Sequence, residues 1–271
     1  MFRQMHKKTN EYSRLTAAAA TKGAAALFGL PAPARAMLYA AFAQQQQRPL
    51  VVVTAGEAEA TRMAEDLTTL GCTGAVFPCR DLVLRPIEGT SREMEYRRLK
   101  VLGDLVGGRL MAVCLSVESL LLSTMPPEEF SQSTLVLKPG SKITQQDLLA
   151  ALYRAGYQRR PQVDGPGQFS VRGGIVDLYA PDMALPARME FWGDEIDSIH
   201  SFDLVSQRRE DSLEKIYLSP AREVLFGEPQ EAAALLRDAL SHQKGQVAHR
   251  MEQTMEQDLA LLDGGAMPVS M

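Results

Sequence analysis

The feature that most constrains this chain is a change of pattern at Met125-Pro126-Pro127. Before these residues, short apolar runs alternate with segments of helical periodicity. After them, a short helical segment is followed by stretches of alternating polarity separated by glycine-containing turns. The first pattern predicts a parallel sheet covered by helices, and the second predicts a small α+β domain with a mainly antiparallel sheet.

The elements of both parts follow from periodicity and from helix-ending signals. In the first part, we predict strands at 50–53, 74–77 and 110–115 and helices at 34–45, 57–70 and 92–106. An apolar run at 24–30 indicates a further strand that leads into the first of these helices. In the second part, we predict a helix that begins after Thr144 and ends at Gly156, strands at 135–137, 169–171, 174–179, 187–192 and 196–202, and helices at 231–240 and 251–262. Thr144 and Asp147 have the spacing of a capping box.

Length and charge limit the classes of function. A chain of 271 residues corresponds to about two domains. The net charge is −4, which argues against non-specific nucleic-acid binding as the main activity. The predicted helix at 92–106 carries four basic residues, Arg92, Arg97, Arg98 and Lys100. We interpret them as a solvated face, and a DNA-binding scaffold that uses them is an alternative.

The cysteines and histidines do not form a metal-binding pattern. Cys72, Cys79 and Cys114 are three and cannot all pair with one another, and no CxxC occurs. The histidines, at positions 6, 200, 242 and 249, are scattered. We therefore predict no metal site, no cofactor and a reducing compartment. No apolar run approaches the ~20 residues that span a bilayer, and the first residues lack the plan of a secretory signal, so we predict a cytoplasmic protein without a membrane partner.

The segment from Gly29 to Ala36 lies where a phosphate-binding loop would occur. On the pattern GxxxxGK[ST], Gly29 holds the first position, but Ala34 replaces the second glycine, Arg35 the lysine and Ala36 the magnesium-binding hydroxyl. An ordinary strand-to-helix turn explains these residues equally well. In either case, we expect no ATP hydrolysis here, because the lysine and hydroxyl carry the phosphate and metal contacts.

An acidic motif, Asp194-Glu195-Ile196-Asp197, resembles a helicase acidic box only superficially. A magnesium-binding acid of that kind follows a buried apolar strand. The residues before Asp194 alternate in polarity instead, so we place the acids at a hairpin turn formed with Gly193.

Three side chains of the second part form a candidate binding face. Alternation in 187–192 sends Met189 and Phe191 to one side and Arg188, Glu190 and Trp192 to the other. Arg172 points away from the core in the preceding hairpin, where Gly173-Gly174 suggests a bulge. Arginine and tryptophan are typical of protein-interface hot spots. The alternatives are a solvated surface or a face on which nucleic acid stacks.

The resemblance to a known family rests on long stretches. Residues 169–179 (FSVRGGIVDLY), 186–199 (PARMEFWGDEIDSI), Phe202-Asp203 and Ser206-Gln207-Arg208 resemble the bacterial transcription-repair coupling factors, and Phe77-Pro78 with the helix at 92–102 fits the first domain of that family. The resemblance covers nearly the whole chain, but only the amino-terminal, UvrB-like module of the family.

The resemblance implies a domain plan and a function. The plan is a UvrB-like first lobe with a degenerate P-loop at 1–134, an inserted domain that binds UvrA at 135–219, and a return segment at 220–271 that begins the second part of the first lobe. The implied function is to recruit UvrA for nucleotide excision repair at stalled transcription. The implied UvrA contacts are Arg172, Arg188 and Trp192, the last being Phe in most of the family.

Three absences also follow from the resemblance. This module lacks the nucleotide site of UvrB, in agreement with Ala34, Arg35 and Ala36, and it lacks the tyrosine-rich hairpin, since 79–91 holds no tyrosine. The parts of the family that bind RNA polymerase and translocate on DNA with ATP lie outside this chain. The alternative function is an active UvrB-type ATPase and helicase subunit that binds damaged DNA.

Overall fold

The computed structural model describes residues 10–21, 24, 26–45, 48–80, 92–225, 229–243 and 245–263. Its internal contacts divide the chain into two compact units, Met1–Arg80 with Lys100–Ser123 and Asp81–Leu99 with Thr124–Met271. The described residues form a parallel three-stranded sheet, a six-stranded sheet that is mostly antiparallel, and an antiparallel pair of strands. The predicted fold class, a helix-covered parallel sheet with a small α+β domain, is confirmed. The domain boundaries at 134 and 219 stay predictions.

The elements follow in chain order. They are α1 Asn10–Ala20, α2 Ala32–Gln45, β1 Leu50–Thr54, α3 Glu57–Thr69, β2 Gly74–Val76, α4 Glu93–Val106, β3 Ala112–Ser116, α5 Val117–Leu121, α6 Pro127–Gln132, β4 Leu135–Leu137, α7 Gln145–Arg154, β5 Gln158–Arg159, β6 Gln168–Arg172, β7 Ile175–Tyr179, β8 Ala187–Trp192, β9 Glu195–Phe202, β10 Arg209–Ser212, β11 Ile216–Leu218, α8 Pro229–Ser241 and α9 Gln246–Asp263. Those that were predicted have bounds close to the predicted ones, whereas α1, α5, α6, β5, β10 and β11 were not predicted.

The sheet of the first unit has the strand order β1-β3-β2, and all three strands are parallel. Small side chains of α2 and α3 pack on one face against Val52 and Cys114. On the other face, Phe77 and Val101 pack against Val113 and Leu115 of the central strand. On this second face the packing falls on the central strand and not on β1, so Val51 is 57% exposed. The β-branched run at 50–53, which is typical of a fully buried strand, is therefore buried on one face only.

The predicted strand at 24–30 is wrong for the residues that the structure describes. Residues 24 and 26–30 have no strand conformation, and Phe28 is 90% exposed. The run consists of alanine, leucine, phenylalanine and glycine without a β-branched residue, and Gly29 has a positive φ of 75°, which an extended strand does not adopt. No described strand therefore leads into α2.

The sheet of the second unit has the order β10-β9-β8-β7-β6-β5 and is antiparallel except between β5 and β6. Helix α7 supplies Leu148 and Leu152 to the core beneath it, together with Phe169 and Met189. The predicted cap of α7 is confirmed: the Thr144 hydroxyl accepts a hydrogen bond from the Asp147 backbone N–H at 3.0 Å.

Two tight turns set the register of this sheet. Gly193 (φ 61°) lies in the predicted turn between β8 and β9. Gly173 (φ 58°) and Gly174 form a two-residue turn between β6 and β7, where Arg172 pairs directly with Ile175. The predicted bulge at Gly173-Gly174 is therefore wrong. The register of β8 and β9 shifts instead between Glu190 and Phe191.

Candidate functional site

The candidate site lies on the outer face, defined as the face of β6–β9 whose side chains do not join the core under α7. Strand register places four of its polar residues in one row across the sheet: Ser170 beside Asp177, Asp177 beside Arg188, and Arg188 beside His200. Alternation along each strand explains this placement, because neighbouring residues such as Val176, Leu178, Ala187 and Met189 enter the core.

The three residues predicted as partner contacts all lie on the outer face, but their accessibility differs. Trp192 is 83% exposed, and the Arg172 side chain is 50% exposed. The Arg188 side chain is only 14% exposed. The structure thus presents an indole ring and one guanidinium group to solvent, while the second guanidinium group is largely covered.

Asp177 links the two arginines. Its carboxylate is 1% exposed and accepts hydrogen bonds from Arg188 Nε at 2.6 Å and Nη2 at 2.9 Å. Arg172 Nη2 donates to the same carboxylate at 2.6 Å. The hydrogen bond to Asp177 raises the pKa of the Arg188 guanidinium group. Two arginines and one aspartate leave an excess of one positive charge in this group. Of the two arginines, Arg172 is the more exposed to solvent.

Arg188 is further fixed by the chain that follows β9. Its Nη1 donates to the Gln207 carbonyl at 3.2 Å, and its guanidinium carbon lies 4.8 Å from the centre of the Phe202 ring. Gln207 has a positive φ of 58°, a conformation that is uncommon for a residue other than glycine. The Arg188 side chain is therefore hydrogen-bonded both to Asp177 in strand β7 and to the turn at Gln207.

Sequence reasoning missed Asp177 and His200. The signal for Asp177 was a single acid in the apolar strand Ile175–Tyr179, which favours a buried partner of opposite charge. His200 is 5% exposed, and neither ring nitrogen has a hydrogen-bond partner among the described residues. Burial, followed by the nearby positive charge of Arg209, lowers the pKa of His200.

The four basic residues predicted as a solvated face differ in exposure: Arg97 and Lys100 are exposed, Arg92 is half-buried and Arg98 is buried. The Arg98 side chain is fully buried, and its Nε and Nη2 donate to the Glu223 carboxylate at 2.8 and 2.6 Å. The Glu95 carboxylate accepts a hydrogen bond from the Glu223 backbone N–H at 2.9 Å. Assigning Arg98 to a solvated face is therefore wrong, and Arg98 cannot contribute to a DNA-binding surface with Arg92, Arg97 and Lys100.

The residues of the predicted phosphate loop lie before and within the first turns of α2, and one of them is buried in the core of the first unit. Ala34, Arg35 and Ala36 lie in the first turns of α2, and Ala36 is 1% exposed within the core under α3. An Arg35 Nη2 lies 3.6 Å from a Glu59 carboxylate oxygen. Gly29 has open space around its α-carbon. The predicted comparison with the tyrosine-rich hairpin falls on residues 81–91, outside the described residues.

The cysteines are free thiols. Cys72 and Cys114 are buried and Cys79 is half-buried, and burial, with a further contribution from Cys72, raises the pKa of Cys114 to about 11. Within the described ranges, no cluster of three potential metal ligands occurs. In the same ranges, no helix is both long and apolar enough to cross a bilayer.

Comparison with known proteins identifies the class to which this fold and face belong. Residues 135–224 match the family described as the UvrB interaction domain. The match contains the whole outer face, including Arg172, Asp177, Arg188 and Trp192. The second unit thus carries an interaction domain of the kind found in UvrB-type repair proteins.

Similarity to individual proteins extends over more of the chain than this domain does. The chain is 31% identical over 211 residues to the transcription-repair-coupling factor of Bacillus subtilis, which is 77% of this chain and 18% of the relative. It is 36% identical over 207 residues to the transcription-repair-coupling factor of Myxococcus xanthus, which is 73% of this chain and 17% of the relative. It is 32% identical over 162 residues to UvrABC system protein B of Chlorobium limicola, which is 60% of this chain and 24% of the relative.

The chain matches the amino-terminal UvrB-like module of the transcription-repair-coupling factors, as its resemblance predicted. It spans less than a fifth of the length of the coupling factors that it matches, 18% and 17% for the two above.

Proposed function

We propose that this module recruits UvrA to sites of stalled transcription, and that the outer face is the surface that binds it. The observation that carries the proposal is that Trp192 and Arg172 are exposed on the same face of the sheet, on which Arg188 is hydrogen-bonded to Asp177. An exposed indole ring buries a large apolar area on binding, and a guanidinium fork pairs with carboxylate or carbonyl oxygens.

The partner chemistry follows from the charge of the group. Since the Arg172–Asp177–Arg188 cluster retains one positive charge, its complement on UvrA is a carboxylate or a set of carbonyl oxygens next to an apolar pocket that accepts the ring of Trp192. Hot-spot residues of this type cost about 2 kcal/mol or more of binding free energy when truncated to alanine.

The test is a titration of UvrA with Arg172→Ala and Trp192→Ala. Each variant has a matched control in the first unit. Arg109 has a 53% exposed side chain in an ion pair of 2.7 Å with Asp104, and Phe28 is an aromatic residue with 90% exposure. We expect affinity losses of about 30-fold for Arg172→Ala and Trp192→Ala and unchanged affinity for Arg109→Ala and Phe28→Ala. If Arg172→Ala and Trp192→Ala bind UvrA as tightly as Arg109→Ala and Phe28→Ala do, the outer face is not the binding site.

We also propose that this module does not hydrolyse ATP. Support comes from Ala36, which is buried in the α2–α3 core where a loop of the active type carries a metal-binding hydroxyl, and from Arg35, which lies beside Glu59. A fluorescent ATP analogue with magnesium should show no saturable binding up to millimolar concentrations. Turnover of ATP that Arg35→Ala abolishes would support the UvrB-type ATPase instead. Binding to RNA polymerase and translocation on DNA are assigned, by the same proposal, to the remainder of the full-length protein.

A further inference from the structure

Two polar side chains of the second unit, Tyr96 and Arg222, lie directly against glycine backbone and do not belong to the outer face. Tyr96 is on α4, and its hydroxyl group lies against Gly167 just before β6. The stem of Arg222 lies against Gly156 just before β5. A β-carbon at either glycine would clash with the side chain that packs on it. The absence of side chains at these two positions therefore allows a hydroxyl group and a guanidinium group to occupy this place.

Arg222 is a covered guanidinium group that makes no hydrogen bond in the part of the chain that the structure describes. Its side chain is 13% exposed, and the ion pair that it forms there is loose, with 3.9 Å between Arg222 Nη1 and a Glu95 carboxylate oxygen. Arg98 and Arg188, by contrast, each direct two nitrogens to a carboxylate at hydrogen-bonding distance. An arginine carries five N–H donors, and covering such donors without acceptors costs free energy. Arg222 therefore lacks the acceptors that its covered position requires.

Positive charge is concentrated around these two side chains. Burial, followed by the positive charge of Arg92, lowers the pKa of Arg222 to about 10. Burial raises the pKa of the Tyr96 hydroxyl, and the charges of Arg92, Arg222 and Arg160 oppose that rise. The acid that acts on both groups is Glu95. Within these five residues, three guanidinium groups thus surround one hydroxyl group and one carboxylate, and a bound anion would balance the repulsion between them.

We propose that Arg222 and the Tyr96 hydroxyl bind a phosphate group, and that Arg92 and Arg160 add positive charge to the site. Guanidinium groups from different elements can direct donors to several oxygens of one tetrahedral dianion, whereas a carboxylate offers only two oxygens. A free phosphate compound and the phosphodiester backbone of a nucleic acid both present this chemistry. The inference does not depend on the proposed function of the outer face.

The experiment is thermal unfolding in inorganic phosphate up to about 50 mM, with sodium chloride added to keep the ionic strength constant. We expect half-saturation at about 10 mM, which corresponds to a few charge-assisted hydrogen bonds after the cost of immobilising the ligand. This concentration lies above the millimolar range in which no saturable binding of the ATP analogue is expected. At about 50 mM phosphate, Tm should rise by about 2 °C. Phosphate also stabilises folded proteins by its exclusion from their surface, so the decisive quantity is the difference between variants.

Three variants provide that comparison. Arg222→Met keeps an unbranched stem and removes the charge, and it should lose the saturable part of the rise in Tm. Tyr96→Phe removes only the hydroxyl group and should raise the half-saturating concentration about fivefold. Arg237→Met is the matched control, because Arg237 is a half-exposed arginine that is hydrogen-bonded to Asp263 in the same unit, and its response should equal that of the wild type.

The proposal is overturned if phosphate stabilises all four proteins alike, because phosphate then acts only as an excluded salt. Should Arg222→Met fail to fold, an unchanged half-saturating concentration for Tyr96→Phe would overturn the proposal by itself.

A single-stranded oligonucleotide without terminal phosphates distinguishes the two sources of the phosphate group, in a fluorescence-anisotropy titration at about 50 mM salt. If the group belongs to a nucleic acid, the wild type should bind the oligonucleotide about tenfold more tightly than Arg222→Met. If it belongs to a free compound, both proteins should bind the oligonucleotide equally, while inorganic phosphate shows saturable stabilisation of the wild type alone.

Discussion

Two arginine–carboxylate pairs of the second unit share the same chemistry and differ in their surroundings. Arg98 and Glu223 are closed off from solvent, with side-chain exposures of 0% and 1%. Asp177 and Arg188 are nearly as buried, at 1% and 14%, but they are joined by Arg172, which is half exposed. The first pair joins helix α4 to the chain after β11 and ends there. The second pair is hydrogen-bonded to a third group, Arg172, whose side chain reaches the surface.

The comparison shows how burial separates a structural pair from a candidate binding group. A closed pair balances its own charge and has no means of sensing a partner. In the second group, the buried carboxylate also accepts a hydrogen bond from an exposed arginine. The same residue types therefore acquire different roles, and the difference lies in the third residue.

The closed pair should give the largest loss of stability. Arg98→Ala leaves the Glu223 carboxylate buried without its partner, and we expect the free energy of unfolding to fall by about 3–5 kcal/mol. Urea unfolding followed by far-ultraviolet circular dichroism measures it. Arg98→Met with Glu223→Gln removes both charges and should recover most of the loss. A change below about 1 kcal/mol in the single variant would show that the pair is not as closed as its exposure indicates.

The open pair should give a smaller loss. Asp177→Asn removes the charge that two arginines share, but Arg188 keeps its hydrogen bond to the Gln207 carbonyl and some access to water. We expect the free energy of unfolding to fall by about 2 kcal/mol, measured in the same urea titration. A loss equal to that of Arg98→Ala would remove the distinction between the two pairs.

A weaker effect is expected from pH, through His200 beside Arg188. Because burial holds its pKa below the ordinary value, the unfolded chain takes up a proton at a higher pH than the folded one. The contribution of His200 to stability is therefore complete above about pH 6.5 and declines as the pH falls through the folded pKa. Arg188 lies opposite His200 on the adjoining strand; the charge of Arg209 also lowers the pKa of His200, and Glu190 raises it.

The measurement is urea unfolding at pH 7.5 and pH 5.5, with His200→Gln as the control. Acidic groups elsewhere also contribute a pH dependence, and the variant retains them. The wild type should lose more stability than His200→Gln over this interval. Identical slopes for the two proteins would show that His200 titrates alike in the folded and unfolded chains.

The smallest change in stability should come from the exposed member of the open group. Arg172→Ala removes a half-exposed side chain and leaves the pair of Asp177 and Arg188 in place, so we expect the free energy of unfolding to stay within about 0.5 kcal/mol. Thermal unfolding checks this value. The variant that most weakens UvrA binding would then be among the least destabilised, and a large loss of stability would instead make Arg172 part of the structural core of the group.

Local signals in the sequence predicted most of the elements. The cap at Thr144, the turn at Gly193 and the alternation of β8 each depend on neighbouring residues, and the structure confirms all three. The strand expected at 24–30 failed because an apolar run without β-branched residues and next to Gly29 does not specify extended backbone. The exposed face of β1 was missed because edge and central strands have similar sequences.

The candidate site was predicted only in part, for a different reason. Alternation determined that Arg188 and Trp192 share a face, since side chains of a strand point alternately to its two sides. It could not determine which arginine is covered. Helical periodicity likewise assigned Arg98 to solvent, although Glu223, 125 residues further along the chain, buries it.

The sequence by itself determined the class of fold, the family resemblance, the bounds of most helices and strands and the outward direction of Arg172, Arg188 and Trp192. Only the tertiary structure decided that Asp177 binds both arginines, that Arg188 is covered while Arg172 is open, and that Arg98 pairs with Glu223. The physical reason is that periodicity and capping act over a few residues, whereas the burial of a charge depends on partners that folding brings from distant parts of the chain.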